Sequence, residues 1–333
     1  MVGFLSAVSL ITFWRPYQEQ SPDQDKEVIL SIITDIDHCP SREAMRREVL
    51  DVFLREAEDT GSDGIVSLGD NASHRLRDCS LTADMDARFV ADALRSTRIP
   101  AYFVLGDHDI KSSQESYESW LETSGRRETF YSFDIHGVHV VVLDTVLGGD
   151  PMSSSCEEKQ TCASLQKKLA DIKTIDFEAY REKYPESSSV FEREKADIKN
   201  RLDQELTAIK STRSDEVRDK GRIAGHQIKW LEKDLAETAN MRVVILSDHP
   251  LFPFTSDKKS YATDKGGEVR SILEKSQKEV VAISGEAHVW HEETINGIQY
   301  YIVNEFRQDS GSWAIFSWGP EGHRFEKRML QAS

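Results

Sequence analysis

The sequence predicts an α/β protein with a mixed β-sheet, and three observations carry that prediction. Short apolar runs rich in β-branched residues recur along the chain, stretches with apolar residues at helical spacing separate them, and five of the runs end in polar clusters. Residues 28–34 (VILSIIT) form a continuous apolar run, as expected of a strand buried on both faces. Ser41 then offers an N-cap, and Met45, Val49, Leu50, Phe53, Leu54 and Ala57 recur at helical spacing until Gly61. The alternation repeats, with 65–68 as strand, Met85, Phe89, Val90 and Leu94 as a helix face, and 101–105 as strand. Repeated β-α-β units imply right-handed crossovers and a layered arrangement. Two runs at 130–134 and 138–144 flank a turn at His136-Gly137, so an antiparallel hairpin enters and the sheet becomes mixed.

From 148 to about 222 the chain is polar, highly charged and without strand-like runs. Ile198, Leu202, Leu206 and Ile209 mark an amphipathic helix inside it, so the segment reads as a helical insertion, either a solvated cap or a cover that sets access to a site. Residues 225–239 then form a helix with Ile228, Leu231 and Leu235 on one face. Two buried strands follow at 243–246 and 280–283, and 297–303, 313–318 and 323–327 read as closing antiparallel strands.

A chain of 333 residues suits one large domain over 28–333 with that insertion, preceded by an N-terminal extension over 1–27. With 58 acids against 42 bases the net charge is −16, which argues against a nucleic-acid backbone or an anionic membrane surface as partner. A composition 38% hydrophobic and 30% charged is that of a soluble globular protein. Four cysteines (Cys39, Cys79, Cys156, Cys162) without a Cys-x-x-Cys pair point to free thiols in a reducing compartment. The apolar stretch 1–14 is shorter than a membrane span and has no Lys or Arg ahead of it. A cytoplasmic location is therefore expected, with export or anchoring through this stretch as the alternative; oligomeric state is not legible.

The five polar clusters are Asp35-Ile36-Asp37-His38, Gly69-Asp70-Asn71, Gly106-Asp107-His108-Asp109, Ser247-Asp248-His249-Pro250 and Gly285-Glu286-Ala287-His288. A single Gly-Asp after a strand is usually a turn. In α/β sheets, however, the carboxyl ends of strands converge on one crevice, so these residues are expected to meet although they span most of the chain. Several carboxylates in one crevice cannot all ionise without a cation, because like charges raise one another's pKa. A metal is expected, and two ions sharing a bridging carboxylate would generate a hydroxide for in-line attack. No Gly-x-Ser-x-Gly elbow, P-loop, Rossmann glycine set or His-Glu-x-x-His is present.

The order of these motifs resembles the calcineurin-like metallophosphoesterase superfamily, whose pattern is Asp-x-His, Gly-Asp, Gly-Asn-His-Asp/Glu, His-x-Pro or His-His-Pro, and Gly-His-x-His. GHQIKWLEKDLAET, ahead of VVILSDHPL, and FYSFDIHGVHVVVLDT are similar to elements of its cyclic-nucleotide phosphodiesterase-like and purple-acid-phosphatase-like branch. The resemblance covers 28 to about 328 apart from the insertion. It implies a four-layer α/β/β/α sandwich with two mixed β-sheets, a dinuclear metal centre, and hydrolysis of a phosphomonoester or phosphodiester by a metal-bridging hydroxide. One ion would take Asp35, Asp37, Asp70 and His288, the other Asp70, Asp107, Asp248 and Glu286, with Asp70 bridging. His108 matches the family's proton-donating or transition-state-stabilising His, with Asp109 orienting it, and His249 matches the second His of the fourth motif.

Four ligands of the resemblance are replaced, His, Asn, His and His having become Asp37, Asp107, Asp248 and Glu286, every one a carboxylate. Oxygen donors favour harder or higher-valent ions, so two divalent ions, Mn or Fe ahead of Mg, are expected rather than Zn. Six carboxylates against +4 leave a formal −2 that repels an anionic phosphoester unless the ions are trivalent, some acids are protonated or cationic side chains compensate. Arg75, Arg77 and Arg307 are candidates for that clamp; ordinary surface ion pairing is the other account of them. His38 either replaces the missing ligand at 37 or lies behind it, and His291 is expected outside the ligand set. The leading expectation is a metal-dependent phosphoesterase acting on a small phosphorylated substrate. The alternatives are a carboxylate-rich Fe/Mn enzyme acting on a non-phosphate substrate, redox chemistry included, and a non-catalytic binding module that kept the fold.

Overall fold

The computed structural model describes residues 26–37, 43–72, 83–110, 114–149, 221–256, 259–306 and 311–330. The order begins β1 (Val28–Ile33), α1 (Glu43–Thr60), β2 (Gly64–Ser67), α2 (Ala83–Leu94), β3 (Ala101–Phe103), α3 (Gln114–Ser124), β4 (Tyr131–Ile135) and β5 (Val138–Val142). It continues with α4 (Gly225–Glu237), β6 (Arg242–Ser247), β7 (Thr255–Ser256), β8 (Lys259–Ser260), α5 (Gly266–Lys275) and β9 (Glu279–Ser284). The last strands are β10 (His291–Ile295), β11 (Ile298–Ile302), β12 (Ser312–Gly319) and β13 (Gly322–Met329). One sheet runs β13-β12-β1-β2-β3, the other β10-β11-β9-β6-β5-β4, and β7 and β8 form a small ribbon. The N-terminal segment, Ser41 and most of the insertion lie outside the described residues. No helix among those described is long and apolar enough to cross a membrane.

Strand periodicity builds the layers. In β1, Val28, Leu30 and Ile32 point between the two sheets, whereas Ile29 and Ile33 join Leu50, Phe53, Val90 and Leu94 of α1 and α2 on the outer face. In β6, Val244 and Leu246 enter the layer between the sheets, while Val243 and Ile245 pack on Ile228, Leu231, Val269 and Leu273 of α4 and α5. Every second side chain of a strand faces the same way, so a run apolar at every position is what a sheet covered on both faces requires. The result is a four-layer α/β/β/α sandwich with two mixed sheets.

The hairpin is present, with His136 and Gly137 at φ 43° and 74° in its turn, but it starts the second sheet. Periodicity along the chain names a strand's neighbours in sequence and not the sheet it joins. The segment expected to close the fold antiparallel, β11, instead runs parallel to β9 and pairs antiparallel with β10, which the sequence analysis did not anticipate. β10 is an edge strand whose Glu292, Glu293 and Thr294 are exposed, so it shows no apolar run. Its signal was Asn296-Gly297, a dipeptide suited to a two-residue hairpin turn and found at φ 51° and 84°. α3 and α5 were likewise not anticipated; α5 buries only Gly266, Val269 and Leu273.

Parallel registers, Ile33 opposite Ser67 and Leu246 opposite Ile283, bring the carboxyl ends of neighbouring strands level. Gln227 of α4, fully buried, locks the end of β5: its Oε1 accepts from Asp144 N at 2.8 Å and its Nε2 donates to Asp144 O at 2.9 Å. The same helix is tied to the hairpin through His139, whose ring nitrogens lie 2.7 Å from Asp134 Oδ1 and 2.8 Å from Asp234 Oδ2.

Burial alone would lower the His139 pKa, but the two carboxylates outweigh it and push it up to about 9. The folded state therefore holds this proton more tightly than the unfolded chain, whose His titrates near 6.5, so the stabilisation is complete below that pH and is lost as pH rises through 9. His139→Gln is expected to cost on the order of 1–2 kcal/mol at pH 6, allowing for solvent screening at the half-exposed Asp134. In thermal melts recorded from pH 6 to 10, the gap between variant and wild type should narrow progressively above pH 6.5 and be nearly closed above pH 9.

Candidate metal centre

The loops that leave β1, β2 and β9 carry unusual backbone. Asp35, Asp37, Asp70, Glu286 and His288 lie at φ 53°, 49°, 54°, 56° and 51°. Left-handed conformation costs a non-glycine residue about 1 kcal/mol, and it persists where the surroundings hold it. Here adjoining loops hold each other: Asp35 N donates to Gly69 O at 3.2 Å, and Asp37 N to Asp70 O at 2.9 Å. Glycine makes the close approach feasible. A Cβ on Gly106 would run into the backbone nitrogen and Oδ1 of Asp70, and one on Gly69, at φ 120°, would lie 2.7 Å from Asp248 Oδ1.

Two clusters result. Asp35, Glu286 and His288 each present a donor atom, all within 4.8 Å of one another, and Asp70, Asp107 and His108 do the same. His288 Nε2 is 2.7 Å from Asp35 Oδ1, and its Nδ1 is 3.4 Å from Glu305 Oε2. His108 donates its backbone N–H to Asp70 Oδ1 at 2.8 Å. Asp248 is fully buried with neither oxygen accepting a hydrogen bond, although its Oδ2 lies 3.1 Å from His249 Nδ1.

The electrostatics join the clusters into one crevice. Burial, then the charges of Asp107, Asp248, Glu286 and Asp35 in that order, raise the Asp70 pKa well above the usual carboxylate range. Burial also raises Asp248, to about 6, against the pull of His249 and with the help of Asp107 and Asp35. Five carboxylates from five strand ends thus repel through a low-dielectric pocket, with Asp70 at their centre. Oxygen-rich donors, two imidazoles and buried oxygens without hydrogen bonds fit a pair of divalent cations.

The structure distributes the expected residues unevenly. Glu286 presents a donor atom beside Asp35 and His288, and its charge also acts on Asp70. Asp37 belongs to neither three-residue cluster; its Oδ1 lies 3.0 Å from His108 Nδ1. The oxygens of Asp109 accept from Asn71 N (2.7 Å), Asn71 Nδ2 (3.3 Å), Ala72 N (3.3 Å) and Gly106 N (3.0 Å), so this carboxyl fastens the β2 loop to the β3 loop. Burial pushes its pKa up to about 7. His249 is fully buried, its Nδ1 facing Asp248 and, at 3.3 Å, Thr145 Oγ1. His291 stacks near Phe252 and Phe254, outside both clusters. Arg75, Arg77, Arg307 and His38 lie outside the described residues.

Glu305 and Thr145 are additions that the sequence analysis missed. Both follow buried strands, β11 and β5, so the strand-end rule that found the other acids would have found Glu305.

No family model matches the chain, and no curated protein matches it by sequence. Among solved structures, a dimetal phosphatase from Danio rerio is similar over 92% of this chain and 99% of its own, at 16% identity and a TM-score of 0.60. The fold is the calcineurin-like metallophosphoesterase fold. A Thermus thermophilus protein (12% identity, 91% and 99% of the two chains, TM-score 0.49) and GAP50, the anchor in the inner membrane complex of Plasmodium (10%, 92% and 89%, 0.48), are similar at a lower level. On the metallophosphoesterase fold, these clusters stand where strand ends from both sheets meet.

A carboxyl whose pKa is raised on folding binds its proton more tightly in the folded state, so the metal-free protein loses stability as pH rises from 3.8 through about 6 across the Asp248 titration. Cations take the place of those protons. The rise in melting temperature on adding Mn²⁺ is therefore expected to be larger at pH 7 than at pH 5, one bound ion adding about 2.7 kcal/mol of stability at a hundredfold excess over Kd. Asp70→Asn, which removes the central charge and keeps the oxygen facing His108 N, should raise the melting temperature of chelator-treated protein and shrink the Mn²⁺ shift. Differential scanning calorimetry with and without metal measures both effects.

Proposed function

We propose that the chain is a metal-dependent phosphoesterase that holds two divalent ions. The observation carrying this reading is the pairing of two donor clusters around the buried Asp70. Asp35, Glu286 and His288 would hold one ion; Asp70 and Asp107, with His108 and Asp248 beside them, would hold the other. Bound ions would supply Lewis-acid charge to a phosphoryl group and lower the pKa of a water between them. The chain's own part is to fix the donors and keep the pocket dry. Left-handed loop residues aim the carboxylates, Asp109 fastens two of the loops, and the sandwich core beneath prevents the crevice from spreading under its own repulsion.

The substrate class is a small phosphorylated molecule, a monoester or diester. Its charge has to be reconciled with the formal −2 of six carboxylates and two divalent ions, a role we assign to Arg75, Arg77 and Arg307. Mn or Fe suits the donor set best, Mg next. The same surplus of negative charge favours a second reading, in which a carboxylate-rich Fe/Mn centre acts on a neutral or cationic substrate.

Metal-reconstituted protein is expected to hydrolyse p-nitrophenyl phosphate or bis-p-nitrophenyl phosphate, to stop on chelation, and to lose at least about 100-fold in kcat/KM in Asp70→Asn and His288→Ala, a loss of the size that removal of one charge-stabilising group causes. Arg75→Ala and Arg77→Ala should act mainly on KM. A protein that binds two ions, cleaves neither ester and retains iron through purification would sink the phosphoesterase reading and leave the second.

A further inference from the structure

We propose that the side of the sandwich bounded by β10 and β13 is an interface with a second copy of this chain. Each of these strands ends its sheet. They lie on the same side of the molecule: Phe325 of β13 stacks on Tyr301 of β11 at 4.1 Å, and Trp290, just before β10, meets Phe325 edge-on at 6.2 Å. The opposite side is sealed. There Tyr102 of β3 stacks on Phe133 of β4 at 3.9 Å, and the Tyr131 hydroxyl accepts from Phe103 N at 3.1 Å and donates to Phe103 O at 3.0 Å, which ties the edge of β3 across the gap.

The β10 and β13 side is polarised. β13 carries Arg324, Lys327 and Arg328 against Glu326, whereas β10 carries Glu292 and Glu293, in a chain of net charge −16. Lys327 stands opposite Ala314 and Glu292 opposite Tyr301, and both of those partners belong to the layer between the sheets, so the two charges rim that layer. Lys327 and Glu292 are exposed and form no ion pair within one copy among the described residues. Arg324 and Arg328 are engaged with Glu27 at 2.7 Å and Glu326 at 2.9 Å, exposed pairs of small worth. Met329, 65% exposed and two positions along from Lys327, adds apolar surface to the same face of β13.

Charge on an edge strand commonly blunts it against pairing with a copy of itself. Opposite signs on two edges of one side do the reverse, because a two-fold axis lays each against the other. β13 follows β1 through two antiparallel steps and runs toward the crevice; β10 is antiparallel to β11, which follows β9, and runs away from it. An axis parallel to the strands therefore sets β13 of each copy antiparallel to β10 of the other, bases on acids at both contacts, with the two crevices opening at the same end. An axis across the strands would put like charge on like. The strip is narrow, about 27 Å along β13 with the sheets about 10 Å apart, which is the lower end of stable interfaces and fits a dimer of roughly micromolar Kd.

The test is sedimentation equilibrium of the full chain from about 1 to about 300 µM, the range over which a dimer of that affinity passes from mostly monomer to mostly dimer. Wild type should dimerise reversibly. Lys327→Glu and Glu292→Lys should each weaken association about tenfold or more, since every change acts at two symmetric contacts. An equimolar mixture of the two variants should recover it, because each then offers the charge the other lacks. Met329→Asp should weaken the dimer without touching either charge, and melting curves check that every variant folds. A wild type that stays monomeric throughout, variants that dimerise as well as wild type, or a mixture as weak as its components would each overturn the proposal. If a charge variant melts early, wild type and Met329→Asp still decide.

Discussion

Mutual repulsion among buried carboxylates is the constraint around which this molecule is arranged. Asp35, Asp70, Asp107, Asp248 and Glu286 influence one another in a pocket where burial already disfavours their charge. Left alone, such a set drives its members toward protonation and costs folding free energy. The loops that hold the set are correspondingly over-determined. Backbone hydrogen bonds run between adjacent strand ends, glycines permit contacts that a Cβ would forbid, and Asp35, Asp70 and Glu286 hold left-handed backbone. Strain and charge are concentrated in the same few residues, as expected where a site has been built at the expense of local stability.

That concentration is tolerable because three apolar layers lie beneath it. The layer between the sheets and the two layers under the helices draw on the apolar residues of the central strands of both sheets, so the strand ends are anchored in a close-packed body that transmits little movement. The buried Asp144 reinforces this by accepting from Thr129 and from the backbone N–H groups of Val146, Leu147 and Gly149. Not every buried acid here is therefore a ligand. Asp144 and Asp109 use the same chemistry, a carboxylate among N–H donors, to fasten loops, and their satisfied oxygens set them apart from Asp248.

Much of this was legible beforehand. Continuous apolar runs announced strands covered on both faces, and the acids following them announced the crevice. Less visible were elements whose burial is slight. β10 is a charged edge strand without an apolar run, and α5 is a short helix with only Val269, Ile272 and Leu273 as apolar positions. Asp109 and His108 illustrate a different limit. A residue adjacent in sequence to a ligand looks like its helper, yet the side chain facing His108 is Asp37, 71 positions away, while Asp109 turns to Asn71.

Sequence by itself determined the layer type, the strand ends that bear acids, and the need for positive charge among them, because burial periodicity and charge are properties each residue carries wherever it lies. Tertiary structure decided which sheet the hairpin joins, that Glu286 groups with Asp35 and His288, that Glu305 stands behind His288, and which carboxylate holds His108. Those are matters of which loops approach across the gap between the sheets. They are set by register and packing summed over the whole core rather than by any local run of residues.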